Sequence, residues 1–227
     1  MGRGLEYRKG MAMAGYTLTL SKEQSKTVRL ALEGYIALRE NRWEVFLSEA
    51  VPNPQKRDEA KEIFEAIQKA ACNGKPYWNK ENLKLAKRLL SALQTVNVLR
   101  VNTDEAQLIK FTLEEYFRLR LNQWFDFTSD IALADFVYDK DNPENSRLFN
   151  EYIHRRNEAQ EQFTEYFGRL RPWNTRQTID MLRAQDIWQV IRHKLYLDRG
   201  GDPNSYVVDA RPPMTLTGEA FPRFERI

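Results

Sequence analysis

Asp-Ile-Trp-Gln-Val-Ile-Arg-His, residues 186–193, combines an acid, an amide, a guanidinium and an imidazole within eight residues. On a helix, Asp186, Gln189 and His193 are spaced by 3 and 4 and share one face, with Ile187, Val190 and Ile191 as the adjacent apolar stripe. An acid, an amide, the Arg192 guanidinium and an imidazole held together could line a polar pocket for an anionic ligand. The plainer role is a helix end, where Arg192 and His193 satisfy free carbonyls and complement the dipole. That role carries the greater weight. A second set comprises Arg39 and Arg120, placed among Tyr35, Tyr116, Trp43 and Trp124. Two such arginines could grip phosphate oxygens while a neighbouring ring stacks on a base. Here too the plainer account weighs more: each arginine stem covers its aromatic neighbour and pairs with Glu33, Glu40 or Glu114.

Other chemistry finds little support. HExxH, Walker A and GxGxxG patterns are absent from the sequence, and no nucleophile elbow surrounds any serine. "DKDNPE" at 139–144 lacks the glycine and terminal glutamate of a calcium loop. With two histidines and the single Cys72, neither a cysteine-based zinc site nor an internal disulfide framework is possible. No catalytic residue, metal ligand or cofactor is therefore expected. "HRRNE" and "YFGRLRPW" mix basic and aromatic residues, yet the helix around the first holds nearly as many acids. The chain has 35 basic and 32 acidic side chains, net +3, which is too even to indicate nucleic acid.

The elements that would position these residues come in two sets. "LEGYIALRENRWEVF" (32–46) and "LEEYFRLRLNQWFDF" (113–127) share eight of fifteen residues at an offset of 81. The same offset pairs "TLTLS" with "VLRVN", and "PYWN" resembles "RPWN" at an offset of 95, so about 14 residues are gained near "VYDKDNPENS". The expected fold is mainly α, built from two tandem strand-plus-helices units about a pseudo-two-fold. A small two-stranded β element joins them. The boundaries are an N-terminal tail at 1–15, units at 16–96 and 97–196 forming one compact domain, and an extended C-terminal tail at 197–227.

Within each unit a short β-prone run precedes a capping box, Ser21 with Gln24 and Asn102 with Glu105. The first helix then carries Leu32, Tyr35, Arg39, Trp43 and Phe46 on one face. Asn41 and Asn122 predict a break with positive φ, followed by a further turn or two of helix. Later helices are expected over 55–71, with Ile63, Phe64 and Ile67 inward, and over 79–93, 145–170 and 174–195. Beyond Gly200 the chain is too rich in Gly and Pro for helix, yet keeps Tyr206, Val207, Val208, Phe221 and Phe224, which predicts an extended tail packed on a surface.

A length of 227 residues with 42% hydrophobic and 30% charged side chains suits a globular protein with a real core. No apolar run approaches a membrane span, and the N-terminus lacks a secretory h-region. It begins Met-Gly but has Glu6 where the myristoylation pattern needs Ser or Thr. Cys72 reads as a small buried or half-buried residue in a reducing compartment.

"LTLSKEQ", "RLRLNQWFDF", "DIWQVIRHKLYLDRGG" and "TLTGEAFP" together resemble an uncharacterised bacteriophage protein family. Its members carry an "LTLTEEQ" start, a "RIGMGQ" segment after the first helix, a late D-[IL]-[YW]-Q-V-[IL]-R-H helix and a tail ending in "GEPLP". The resemblance covers most of the chain and implies a phage origin. It brings no activity with it. The functional expectation is a non-enzymatic phage accessory protein in the host cytoplasm that inhibits host defence, by binding a host protein or by sequestering a small anionic, nucleotide-like ligand. The expected assembly is a homo-oligomer. Two alternatives stand beside it: a virion structural or assembly protein whose tails bridge subunits, and an enzyme acting on nucleotides.

Overall fold

The computed structural model describes residues 15–42, 51, 53–71, 80–132, 142–169 and 178–227. Two strands open the architecture, β1 (Gly15–Thr19) and β2 (Val98–Asn102), paired antiparallel with Leu18 opposite Leu99 and Tyr16 opposite Val101. Alternation sends Tyr16, Leu18, Leu99 and Val101 inward, all of them buried. The sheet has three strands where two were expected. β3 (Arg223–Arg226), from the C-terminal tail, pairs antiparallel with the other edge of β1, giving the order β2-β1-β3. The correction has a simple cause. A central strand needs hydrogen-bond partners on both edges, and Phe224 supplies the inward side chain, stacking on Tyr16 at 4.7 Å.

Each of the first two strands feeds an 18-residue helix, α1 (Lys22–Arg39) after β1 and α4 (Thr103–Arg120) after β2. Both begin with the expected capping box, Ser21 with Gln24 and Asn102 with Glu105. Both stop at an asparagine in the left-handed region, Asn41 at φ 56° and Asn122 at φ 58°. Between them lie a 3-10 turn at Pro54–Lys56, α2 (Arg57–Ala71) and α3 (Lys80–Leu93). α4 is followed by α5 (Phe125–Ala132), α6 (Asn145–Arg169) and α7 (Ile179–Asp198). α7 starts five residues later than expected, at an N-cap Thr178 whose hydroxyl accepts from the Met181 amide, and it runs three residues further.

The buried side chains form two clusters. In the first, the inner face of the sheet packs with α1, α3, α4 and α7 through residues such as Leu18, Leu32, Ile109, Leu113 and Ile187. The second gathers Phe64, Trp124, Phe127, Phe163 and Phe167 from α2, α6 and the segment around α5, together with Leu38 and Leu119 near the ends of α1 and α4. Ile63, expected inward, is only half-buried, while Phe64 and Ile67 are buried. Trp43, Phe46, Cys72, "PYWN", "RPWN" and the added length before Asn142 lie outside the described residues.

The two asparagines differ in what their side chains do. Asn122 donates through Nδ2 to the Thr164 carbonyl (3.0 Å) and accepts at Oδ1 from the Trp124 indole (2.7 Å), joining α4 to α6. Asn41 is exposed. Asn41→Gly should therefore leave stability within about 0.5 kcal/mol, whereas Asn41→Ala should cost about 1 kcal/mol through the positive φ. Both Asn122→Gly and Asn122→Ala should cost more, about 2 kcal/mol, by losing two hydrogen bonds. Urea melts of the four variants measure the contrast.

Candidate functional site

Where α1 and α4 cross, Arg39 and Glu115 form a bidentate ion pair, Nη1–Oε1 and Nη2–Oε2 both 2.9 Å, with 2% of each residue exposed. The guanidinium also lies flat over the Tyr35 ring, 3.5 Å from its centroid. A buried charge is tolerable only when paired and hydrogen-bonded, and this geometry achieves both. The partner is thus Glu115, in place of the expected Glu33, Glu40 or Glu114. Glu40 turns outward to Arg42, and Glu114 accepts from Arg118 within α4 and from the Trp188 indole on α7. Burial alone could not have revealed the pair, but one signal existed. At an offset of 81 the counterpart of Glu115 is Gly34, so the aligned stretches differ at the position that decides the charge balance.

Arg120 repeats the local arrangement of Arg39. Its guanidinium lies 3.6 Å over the Tyr116 ring and Nη1 donates to the Tyr116 carbonyl. Beside it, where the counterpart of Glu115 would stand, Gly34 leaves a recess lined by Leu30, Glu33, Tyr35, Tyr116, Leu119 and Arg120, among others. Among the described residues no atom lies within 4 Å of the position a Gly34 Cβ would take. The recess measures about 60 Å³, room for roughly two waters or one side chain, and far below the several hundred Å³ of a typical small-molecule site. Tyr35, Tyr116, Arg39 and Arg120 are therefore brought together at one crossing. Trp124 is not among them. It is fully buried in the second cluster, stacked on Phe163 at 4.6 Å.

The 186–193 cluster lies elsewhere, on the outer face of α7, and it holds the chain's own tail. Asp186 accepts four hydrogen bonds, from the amides of Leu216 and Thr217 and the hydroxyls of Thr215 and Thr217. Gln189 clamps the Met214 backbone, its Nε2 donating to the carbonyl and its Oε1 accepting from the amide, both at 3.1 Å. Arg192 donates to the Arg211 carbonyl, and the His193 imidazole meets the Asp209 carbonyl at 3.1 Å. One turn earlier, Arg183 grips Glu219 bidentately at 2.8 and 2.6 Å, and Gln24 of α1 donates to the Ala220 carbonyl. Residues 183, 186, 189, 192 and 193 form one ridge, against which residues 209–220 run antiparallel as a strap. The helix-end role expected for Arg192 and His193 is corrected: α7 continues to Asp198, and the carbonyls they meet belong to the strap.

Electrostatics sharpen the picture. The Arg183 hydrogen bond holds the Glu219 carboxyl below its ordinary pKa of 4.5, and Glu219 raises the arginine in return. Arg192 is 5% exposed and stacks on Trp188 at 4.5 Å. Burial lowers its pKa, opposed by Asp209, whose carboxylate is 3.7 Å away and half-exposed. The Arg192 Nε is buried with no hydrogen-bond partner. Among the described residues no three His, Cys, Asp or Glu side chains converge to hold a metal ion, and no helix is long and apolar enough to cross a membrane. No known protein family, curated protein or solved structure matches the chain.

Breaking the buried pair by Arg39→Met should cost about 3–5 kcal/mol, because Glu115 is left charged and desolvated. Arg39→Met with Glu115→Leu should recover most of that loss, and thermal melts of the single and double variants decide it. The strap responds to pH with a definite sign. Glu219 has a depressed folded-state pKa, so its contribution is complete above 4.5 and is lost as pH falls through the lower folded value. Protection against hydrogen exchange at 214–220, relative to the intrinsic rate at each pH, should fall as pH drops below 4.5, and Glu219→Gln should show that reduced protection already at neutral pH.

Proposed function

We propose that the protein is a phage accessory protein acting by binding. It engages a host protein in the host cytoplasm and thereby inhibits host defence. We also read residues 16–96 and 97–196 as tandem copies of one unit about a pseudo-two-fold. The observation that carries the binding reading is the recess at Gly34. A glycine inside a helix costs about 1 kcal/mol relative to alanine. Space is open around Gly34, so nothing among the described residues requires its small size. Its counterpart, Glu115, fills the equivalent place beside Arg39. Keeping position 34 bare leaves a concave spot with apolar walls, Leu30, Leu38 and Leu119, and polar groups from Glu33, Tyr116 and Arg120. Pockets of this size and mixed lining suit one anchoring side chain of a protein partner. The size favours that partner over a nucleotide-like ligand.

Filling the recess tests this. Gly34→Leu should raise the melting temperature slightly through helix propensity, while protection of a defence-sensitive phage plated on cells expressing the protein should fall at least tenfold. Full protection by a well-folded Gly34→Leu variant would remove the recess from consideration. The alternative role, an assembly component whose tails bridge subunits, draws on the strap.

A further inference from the structure

We infer that the strap is an exchangeable arm. Residues 209–227 of one copy seat on the α7 ridge and beside β1 of a second copy of the chain, reciprocally, and join the two as a symmetric dimer. This uses a different surface from the Gly34 recess. The first observation is the way the strap is held. From Arg211 to Phe221 no side chain is buried, and the bonds that fix the segment are polar, from Asp186, Gln189, Arg192, Arg183 and Gln24. Ordering a backbone residue costs about as much as one net hydrogen bond returns, so such a segment is marginally docked and can detach. Every one of these bonds is regenerated when the arm comes from another copy, as are the β1–β3 pairing and the Tyr16–Phe224 stack.

The second observation is slack. Ten residues, 199–208, lead from the end of α7 to Asp209, which sits against His193. The return from Asp198 to His193 spans only ~7.5 Å along the helix, while ten residues can reach ~33 Å. The connection opens at Gly200, with φ 82°, and continues into Gly201. The third observation identifies the occupant as a second copy. The slack segment and the strap together expose Tyr206 (98%), Met214 (71%), Val207, Val208 and Leu216 to solvent in the closed chain. Within one chain, tethering favours the closed form through a high effective concentration. Exchange brings two connections past one another at the two-fold, where Tyr206, Val207 and Val208 of each can cover those of the other, and so supplies a stabilisation that the closed chain lacks.

The test uses full-length chains in a Cys72→Ser background. One carries Gln189→Cys and the other Met214→Cys, positions whose side chain and backbone lie 3.1 Å apart in the closed form. The two are mixed at micromolar concentration and treated with a short bis-maleimide. Exchange predicts a covalent pair in which residue 189 of one chain is joined to residue 214 of the other. A partner with Phe149→Cys, exposed on α6, should give at least tenfold less product. A single chain carrying both cysteines should link internally, which shows that the strap still seats. Adding Tyr206→Asp and Val208→Asp should reduce the intermolecular link at least tenfold and spare the internal one. An internal link without the mixed product overturns the inference, as does a mixed product undiminished by the two aspartates. Either result leaves the Gly34 recess to be judged by its own assay.

Discussion

The structure depends on β1 being the middle strand of its sheet. Its two edges must both be paired, and the chain satisfies them with segments far apart in sequence, residues 98–102 on one side and 223–226 on the other. Because the first pairing is antiparallel, with Gly15 opposite Asn102 and Thr19 opposite Val98, α1 and α4 start from opposite ends of the β1–β2 ladder. Two helices of equal length launched from adjacent antiparallel strands then cross, and at the crossing the Arg39 guanidinium is withdrawn from water and must be neutralised. Glu115 provides that charge. The second pairing draws the C-terminus back along the molecule, and α7 lies along its path.

The two arginine-on-tyrosine arrangements show how one local geometry can serve two ends. Arg39 over Tyr35 is sealed by a carboxylate, and the site becomes a rigid strut between helices. Arg120 over Tyr116 has a glycine at the corresponding place, so the same scaffold leaves a concavity. A single difference between glutamate and glycine separates a buried ion pair from an open recess.

The α7 ridge is a different kind of surface. Carboxylate, amide, guanidinium and imidazole groups at intervals of three or four residues present acceptors and donors to an extended chain. Most of their bonds go to backbone amides and carbonyls of the strap, while the Arg183–Glu219 and Arg192–Asp209 pairs and the threonine hydroxyls read side chains. Such a surface is concerned with the shape and polarity of a peptide more than with its sequence.

Local chemistry alone determined a good part of this protein. Apolar periodicity placed the helices, reciprocal side-chain caps started α1 and α4 at Ser21 and Asn102, and two asparagines stopped them in the left-handed region, because each of these effects acts over one or two turns. The grouping of Asp186, Gln189 and His193 on one helix face was legible for the same reason. What that face holds was not. Residues 209–220 contain little that marks them as a ligand for α7, and their partners are 16 to 36 positions away. The third strand was equally hidden, since "RFER" offers one apolar residue and gains its pairing only from the vacant edge of β1. Tertiary structure alone decided that Arg39 faces Glu115 across 76 residues, that Trp124 serves the core, and that Gly34 opens a recess. Each of these depends on which surfaces are brought together and stripped of water, and a one-dimensional pattern of side chains does not contain that information.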